Sequence, residues 1–365
     1  MKLLFFASDY TIGLSSVLTD QLIAYSRIIT LQLIGIAGER SQESDLEDRI
    51  RVQHIRLHKI SGLDDHKNFF KLVKALNTFI NIEKPDIIHV QNNWQLVLIG
   101  LVNWTKSSSK FKIIYTIHGF RNNHFLKSFI ARILIGGILF LFADRIIYMS
   151  DYVKKKFSIL SYKMNKIYYG IDQRFYEKSH NRIDIEELRL IFPAQFRHGK
   201  NQGLLIKSFA DYCKECNDYS SRLYLPGEGE FKQKNQLLAT SLHISDQVIF
   251  PGLLSLKSTR DLIETCNLIV ISSNSETFGK AIVEGYVLGR CILTKNVGVA
   301  SDVIEEGING YFFRNELELK SLLVQLSRNK STIEEIGNNN FANREIFSWS
   351  HSIKDYSELI SNLVH

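Results

Sequence analysis

The 365-residue chain has only four cysteines and four prolines. Cys213 and Cys216 stand three apart in a helical pattern, and Cys266 and Cys291 stand alone. A zinc site needs a second well-spaced pair or added histidines. The pattern therefore reads as four reduced thiols and no metal site, which suits a cytoplasmic protein. Scarce proline and the lack of low-complexity sequence exclude a flexible stalk. No Asp-x-Asp pair occurs anywhere. The apolar opening, Met1-Lys2-Leu3-Leu4-Phe5-Phe6-Ala7, meets Asp9 at once. It is too short for the apolar core of a signal peptide and reads as a buried first strand.

Acidic residues are missing from a long interior stretch. From Ile87 to Ala143 there is no Asp or Glu, while Lys106, Lys110, Lys112, Arg121, Lys127 and Arg132 all fall there. This is where the net charge of +7 concentrates. Such a stretch suits a face that meets anionic lipid or a pyrophosphate-linked substrate, and it equally suits a solvated basic face with buried strands between. No nucleic-acid recognition module accompanies it, so nucleic acid is not expected as a partner. Residues 124–142 form an apolar helix candidate with His124, Ser128 and Arg132 on one face and Lys127 beside it. It is too short and too charged to span a bilayer. Lying in the membrane interface and covering a sheet are both open to it.

What the chain does have is length and an apolar fraction of 45%, enough for two cores. In the first half, strands at 2–7, 29–36, 53–57, 87–90, 112–117 and 145–149 alternate with helical patterns at 17–27 and 69–82. In the second half the alternation restarts. Strands are expected at 189–193, 222–225, 247–250, 268–271, 290–294 and 311–313, with a helix at 202–216. Alternation of this kind implies parallel βαβ units, and such sheets bind ligands beyond the carboxyl ends of their strands. The division expected is a Rossmann-like domain over 1–170, a linker over 171–187, a second Rossmann-like domain over 188–346 and a closing amphipathic helix over 347–365.

The most informative stretch is Glu276-Thr277-Phe278-Gly279-Lys280-Ala281-Ile282-Val283-Glu284. An apolar run and Ser272-Ser273-Asn274-Ser275 precede it, and a helical pattern follows Gly279. A strand, a small polar loop and a helix N-terminus offer backbone N–H groups and a positive dipole end to phosphate or sugar oxygens. Gly279 permits close backbone approach. Glu284 falls about two helical turns beyond Glu276, so both carboxylates can face one cleft.

This stretch resembles the E-x7-E motif of the retaining glycosyltransferases of family 4. So do Phe250-Pro251-Gly252, the Ser-Ser pair and Gly289. Lys84-Pro85-Asp86-Ile87-Ile88-His89, Ile117-His118-Gly119, Ala143-Asp144-Arg145 with Ser150, and Tyr169-Gly170-Ile171-Asp172 are similar to the family's other elements. The resemblance implies an α/β GT-B fold: two Rossmann-like domains facing a central cleft, with the last helix returning to the first. It implies that Lys200 neutralises the donor diphosphate, that Glu284 grips the ribose hydroxyls and that Glu276 lies by the donor sugar. Phe278, Gly279 and Lys280 would offer backbone N–H groups, Gly227 and Gly229 would form the turn near the nucleotide, and His118 would reach the donor sugar near the acceptor. Gly13 and Gly119 would lie on the acceptor side.

The sequence departs from the family at two places. The family's arginine position holds Gln195, with Arg197 two residues on; if both sit in a strand they share a face, and Arg197 can substitute. Of the glycine-rich first loop only Gly13 remains. Without Asp-x-Asp the usual ligands of metal-dependent glycosyltransferases are absent, so cations and helix N-termini would carry the diphosphate charge and no cofactor is expected. The expected activity is retaining transfer of a hexose or N-acetylhexosamine from a nucleotide sugar, UDP-linked before GDP-linked, to a lipid-linked glycan acceptor. The setting would be bacterial polysaccharide, O-antigen or lipopolysaccharide synthesis, with peripheral membrane contact through 106–142. No nucleophilic carboxylate for double displacement is identifiable. The alternatives are a UDP-N-acetylhexosamine 2-epimerase-like isomerase, which needs no acceptor, and a non-catalytic sugar-nucleotide-binding partner.

Overall fold

The computed structural model describes residues 1–6, 21–26, 32–37, 56–59, 69–105, 110–118, 125–177 and 186–364. The chain separates into two compact units. The first holds Met1–Met149, Val153–Gly170 and Trp349–His365; the second holds Ser150–Tyr152 and Ile171–Ser348.

Among the described residues the first unit has seven parallel strands: β1 (Lys2–Phe6), β2 (Gln32–Ala37), β3 (Arg56–Lys59), β4 (Ile87–Val90), β5 (Lys112–Thr116), β6 (Arg145–Tyr148) and β7 (Met164–Lys166). Their order is β3-β2-β1-β4-β5-β6-β7. β1, β4 and β5 are short apolar runs buried along nearly their whole length, as strands covered on both faces must be. Helix α1 (Phe69–Glu83) follows the expected period, burying Leu72, Leu76 and Ile80. Helix α2 (Asn93–Thr105), which periodicity does not mark, is apolar on most sides, and its buried residues include Leu96, Leu98, Ile99 and Val102. Helix α3 (Phe125–Phe142) matches the apolar candidate.

The C-terminal helix, Trp349–Val364, belongs to this first unit. Its Tyr356, Leu359 and Ile360 join Leu3, Phe5, Ile87 and Ile114 in one core. Tyr356 stacks on Tyr25 with ring centroids 3.9 Å apart.

The second unit has six parallel strands: β8 (Arg189–Ile191), β9 (Arg222–Tyr224), β10 (Val248–Ile249), β11 (Leu268–Ile271), β12 (Cys291–Thr294) and β13 (Gly310–Phe312). The order β10-β9-β8-β11-β12-β13 reverses direction at β8 and β11. At such a switch point the connections leave to opposite sides and open a crevice at the carboxyl ends. Helix α4 (Gln202–Cys216) follows β8 and helix α5 (Lys280–Val287) follows β11. Both therefore start at that switch point.

Candidate active site

Loop residues after β11 are tied down to those that precede α4. The Ser272 hydroxyl donates to the Lys200 carbonyl at 2.9 Å, and the Asn274 amide donates to the Gly199 carbonyl at 2.8 Å. These bonds bring together two residues far apart in sequence. Lys200 Nζ donates to Glu276 Oε1 at 2.5 Å, with side-chain exposures of 16% and 13%. Glu276 is not on the helix: α5 starts at Lys280, and Gly279 precedes it with φ +89°. A side chain at Gly279 would be strained by that backbone angle and would press on Ile282.

Glu284 lies on the second turn of α5 and is almost wholly buried. Burial raises its pKa, and Lys280, 3.5 Å away, opposes that rise. A buried carboxylate with a single long ion pair keeps acceptor capacity for a diol. The first N–H groups of α5 lack intrahelical acceptors, as at any helix start.

Gly227 and Gly229 have a structural reason to be glycine. Pro226–Gly229 runs beside Ala194–Phe196: the Ala194 amide donates to the Pro226 carbonyl at 3.1 Å, and Phe196 N–H to the Glu228 carbonyl at 2.9 Å. A Cβ at Gly227 would collide with the Ala194 carbonyl, and one at Gly229 with the Phe196 carbonyl. Their φ angles, +142° and +146°, disfavour L side chains as well.

The strand expected over 189–193 is shorter in the structure. Gln195 and Arg197 do not lie in a strand, because β8 ends at Ile191. The Arg197 amide instead closes a tight turn on the Gln195 carbonyl at 3.0 Å, so strand alternation does not carry Arg197 to the place of Gln195. Both side chains are exposed, on either side of buried Phe196.

Further residues brace the motif loop, and nothing in the sequence assigned them this part. The Ser150 hydroxyl donates to the Thr277 carbonyl at 2.7 Å, and Tyr152 OH reaches Ser275 Oγ at 3.3 Å. Gly298 packs against Phe278 and Glu276, and the next amide, Val299 N–H, donates to the Phe278 carbonyl at 2.8 Å. Lys295, at the head of β12, donates to Asn274 Oδ1 at 2.7 Å. A lone lysine just past a strand carries no motif, so nothing in the linear sequence marks it.

In the first unit His118 leaves the head of β5 and is partly buried. Its Nε2 is hydrogen-bonded to Gln91 Oε1. A carbonyl oxygen only accepts, so Nε2 carries the proton. Tyr169 OH lies 3.4 Å from Nδ1 and 3.3 Å from Nε2, with the two rings stacked. An atom so nearly equidistant points along neither in-plane nitrogen direction. Burial lowers the His118 pKa to about 4, which leaves a neutral imidazole at pH 7. His89 is the structural counterpart. It is fully buried between Thr116 Oγ1 at 2.7 Å and Tyr356 OH at 2.9 Å, and burial lowers its pKa to about 3. Gly13 and Gly119 lie outside the described residues.

A family model for glycosyl transferases group 1 matches residues 173–342, and one for Glycosyltransferase Family 4 matches residues 30–173. Alpha-monoglucosyldiacylglycerol synthase of Streptococcus pneumoniae is 24% identical over 277 residues, covering 68% of this chain but only 62% of that protein. The putative glycosyltransferase EpsD of Bacillus subtilis is 25% identical over 312 residues, 79% of each chain. Among solved structures, Anabaena HepE in complex with UDP and glucose superposes with a TM-score of 0.78 at 18% identity, over 99% of this chain and 100% of that one. Two family models that meet at residue 173, on two parallel-sheet α/β units, make this chain a GT-B glycosyltransferase of group 1.

Proposed function

We propose that the protein is a retaining glycosyltransferase that moves a hexose or N-acetylhexosamine from a UDP-sugar to a lipid-linked glycan acceptor in bacterial surface-polysaccharide synthesis. The observation that carries the reading is the Lys200–Glu276 pair, 2.5 Å apart at the head of the second sheet, with Glu284 buried on the helix that the same loop opens. A cation for the diphosphate, a carboxylate for the sugar and a buried diol acceptor are the three groups that donor binding requires. Arg197 adds an exposed charge near the same loop. In the first unit, His118 presents a neutral imidazole that can accept a hydrogen bond from a sugar hydroxyl through Nδ1. The bound UDP and glucose of HepE favour a UDP-linked donor. The names of the synthase from Streptococcus pneumoniae and of an Escherichia coli O-antigen glycosyltransferase favour a lipid-linked or surface-glycan acceptor.

Peripheral membrane contact is part of the proposal. No helix among the described residues is long and apolar enough to cross a membrane. Large apolar side chains are nonetheless exposed on α2 and α3: Trp104 at 74%, Leu141 at 70%, with Ile133, Leu134 and Phe140. Lys163 lies against the Phe140 ring, 5.4 Å from its centroid. Apolar side chains beside basic ones suit an anionic membrane surface.

The test is thermal titration with a panel of UDP- and GDP-sugars, since a ligand that binds only the folded state raises the melting point. A responder should also be hydrolysed slowly without acceptor, and a chelator should change neither result. No response from any nucleotide sugar would refute the donor-site reading. Loss of turnover in chelator, restored by magnesium or manganese, would refute the metal-free part of it.

A further inference from the structure

Three lysines at the heads of β8, β9 and β11 are already matched by acids. Lys200 pairs with Glu276 at 2.5 Å, Lys232 with Glu228 at 2.6 Å and Lys280 with Glu284 at 3.5 Å. Lys295 differs. It is half-buried at the head of β12, and its ammonium donates to a neutral acceptor, Asn274 Oδ1 at 2.7 Å. Among the described residues no carboxylate pairs with it. Burial lowers its pKa, and no neighbouring acid offsets the shift. A partly desolvated cation without an anion lowers stability unless something else employs it.

Its position says what that is. The side chain of Asn274 accepts from Lys295, and its backbone amide donates to Gly199, the residue before Lys200. Asn274 also stands two residues before Glu276 in the same loop. Asn274 therefore links Lys295 to the residue that precedes Lys200 and to the loop that carries Glu276. That pair is neutral as a unit, and Arg197 is exposed and screened by solvent. Lys200 thus brings the diphosphate no net charge while Glu276 is paired with it, and Arg197 brings none that is desolvated.

We propose that Lys295 is a second cation of the nucleoside-diphosphate site, donating a charge-assisted hydrogen bond to a diphosphate oxygen and supplying from β12 the charge absent at Gln195. The inference rests on the donor-site reading and adds a residue to it. It also assigns Asn274 a part: in the absence of donor it holds the ammonium in place.

The test uses isothermal titration of the full chain with UDP and GDP, and with UMP and GMP as monophosphate comparators. Lys295→Met keeps the length of the side chain and removes its charge. UDP should bind roughly 10- to 100-fold more weakly, as expected for loss of one hydrogen bond to a charged group. UMP should change little, and Lys295→Arg should recover most of the loss. Because the unpaired charge is removed, Lys295→Met should melt no lower than the original chain. If Lys200→Met weakens UDP and GDP binding but Lys295→Met does not, the inference falls and the donor site stands. If the unaltered chain, folded, binds neither diphosphate, both fall. Equal weakening of UDP and UMP together with a lower melting point would make Lys295 a structural lysine and also overturn the inference.

Discussion

Lys200 and Glu276, separated by 76 residues in sequence, form a 2.5 Å ion pair at the head of the second sheet. The diphosphate that Lys200 is assigned to bind must then compete with a carboxylate already in place. Glu276→Gln keeps the shape and removes that competitor. UDP alone should bind as tightly as before or more tightly, while sugar transfer falls roughly 100-fold or more through loss of the charge beside the sugar. Calorimetry and initial rates read the two effects separately. Near-normal turnover would remove Glu276 from the donor site.

Arg197 is exposed, so its contribution to binding a dianion should be small and salt-sensitive. Arg197→Ala should weaken UDP binding about threefold at low ionic strength, and the difference should fade near 0.5 M salt, where the Debye length is only a few ångströms. An affinity independent of the substitution at every salt concentration would assign the charge elsewhere.

Gly229 and Gly203 give opposite expectations for the same substitution. At Gly229 φ is +146° and a Cβ would strike the Phe196 carbonyl. Gly229→Ala should destabilise the chain by about 1–3 kcal/mol, as overpacking against backbone does. At Gly203, in α4, the nearest atoms to a new Cβ are 3.6 Å away. Gly203→Ala should be neutral or stabilise by up to about 1 kcal/mol through helix propensity. Denaturant unfolding compares them directly.

Two histidines make stability depend on pH in a stated direction. Burial lowers His89 to about 3 and His118 to about 4, below the usual value of 6.5. The unfolded chain therefore binds more protons than the folded one between those values, and stability rises with pH there. The contribution is fully present above about 6.5 and is lost as pH falls toward 4 and then 3. His89→Gln should flatten part of that slope in melting curves recorded from pH 7 to pH 4. A slope identical to that of the original chain would show that His89 is not held neutral.

Vesicle co-sedimentation addresses the apolar face of α2 and α3. The chain should pellet with anionic vesicles more than with zwitterionic ones. Leu141→Ser combined with Trp104→Ser should reduce pelleting severalfold without lowering the melting point, because both side chains are exposed. Pelleting that ignores lipid charge and both substitutions would leave this face without a membrane role.

Much of the fold was legible because strands buried on both faces must be short apolar runs. Leu268–Ile271 and the helix Gln202–Cys216 lie where pattern alone puts them. Helix α2 was not legible, since an element apolar on most sides has no period to read. Strand β7 is a three-residue run, Met164-Asn165-Lys166, in which only Met164 is buried. Gln195 and Arg197 share no strand face, because β8 stops at Ile191 and the chain turns. Spacing cannot reveal where a strand ends when apolar residues continue past it, as Phe192 and Phe196 do.

The sequence by itself determined the chemistry available locally: a loop with Glu276 and Gly279 opening a helix that carries Glu284, and a lysine ahead of another helix. It also determined that two sets of βαβ units would form. Tertiary structure alone decided that Lys200 meets Glu276, that Gln91 meets His118, and that Lys295 reaches the neutral side chain of Asn274. The reason is strand order. Parallel crossovers place β8, β11 and β12 side by side, so residues at their heads converge across 76 and 21 positions of sequence, distances at which no local pattern operates.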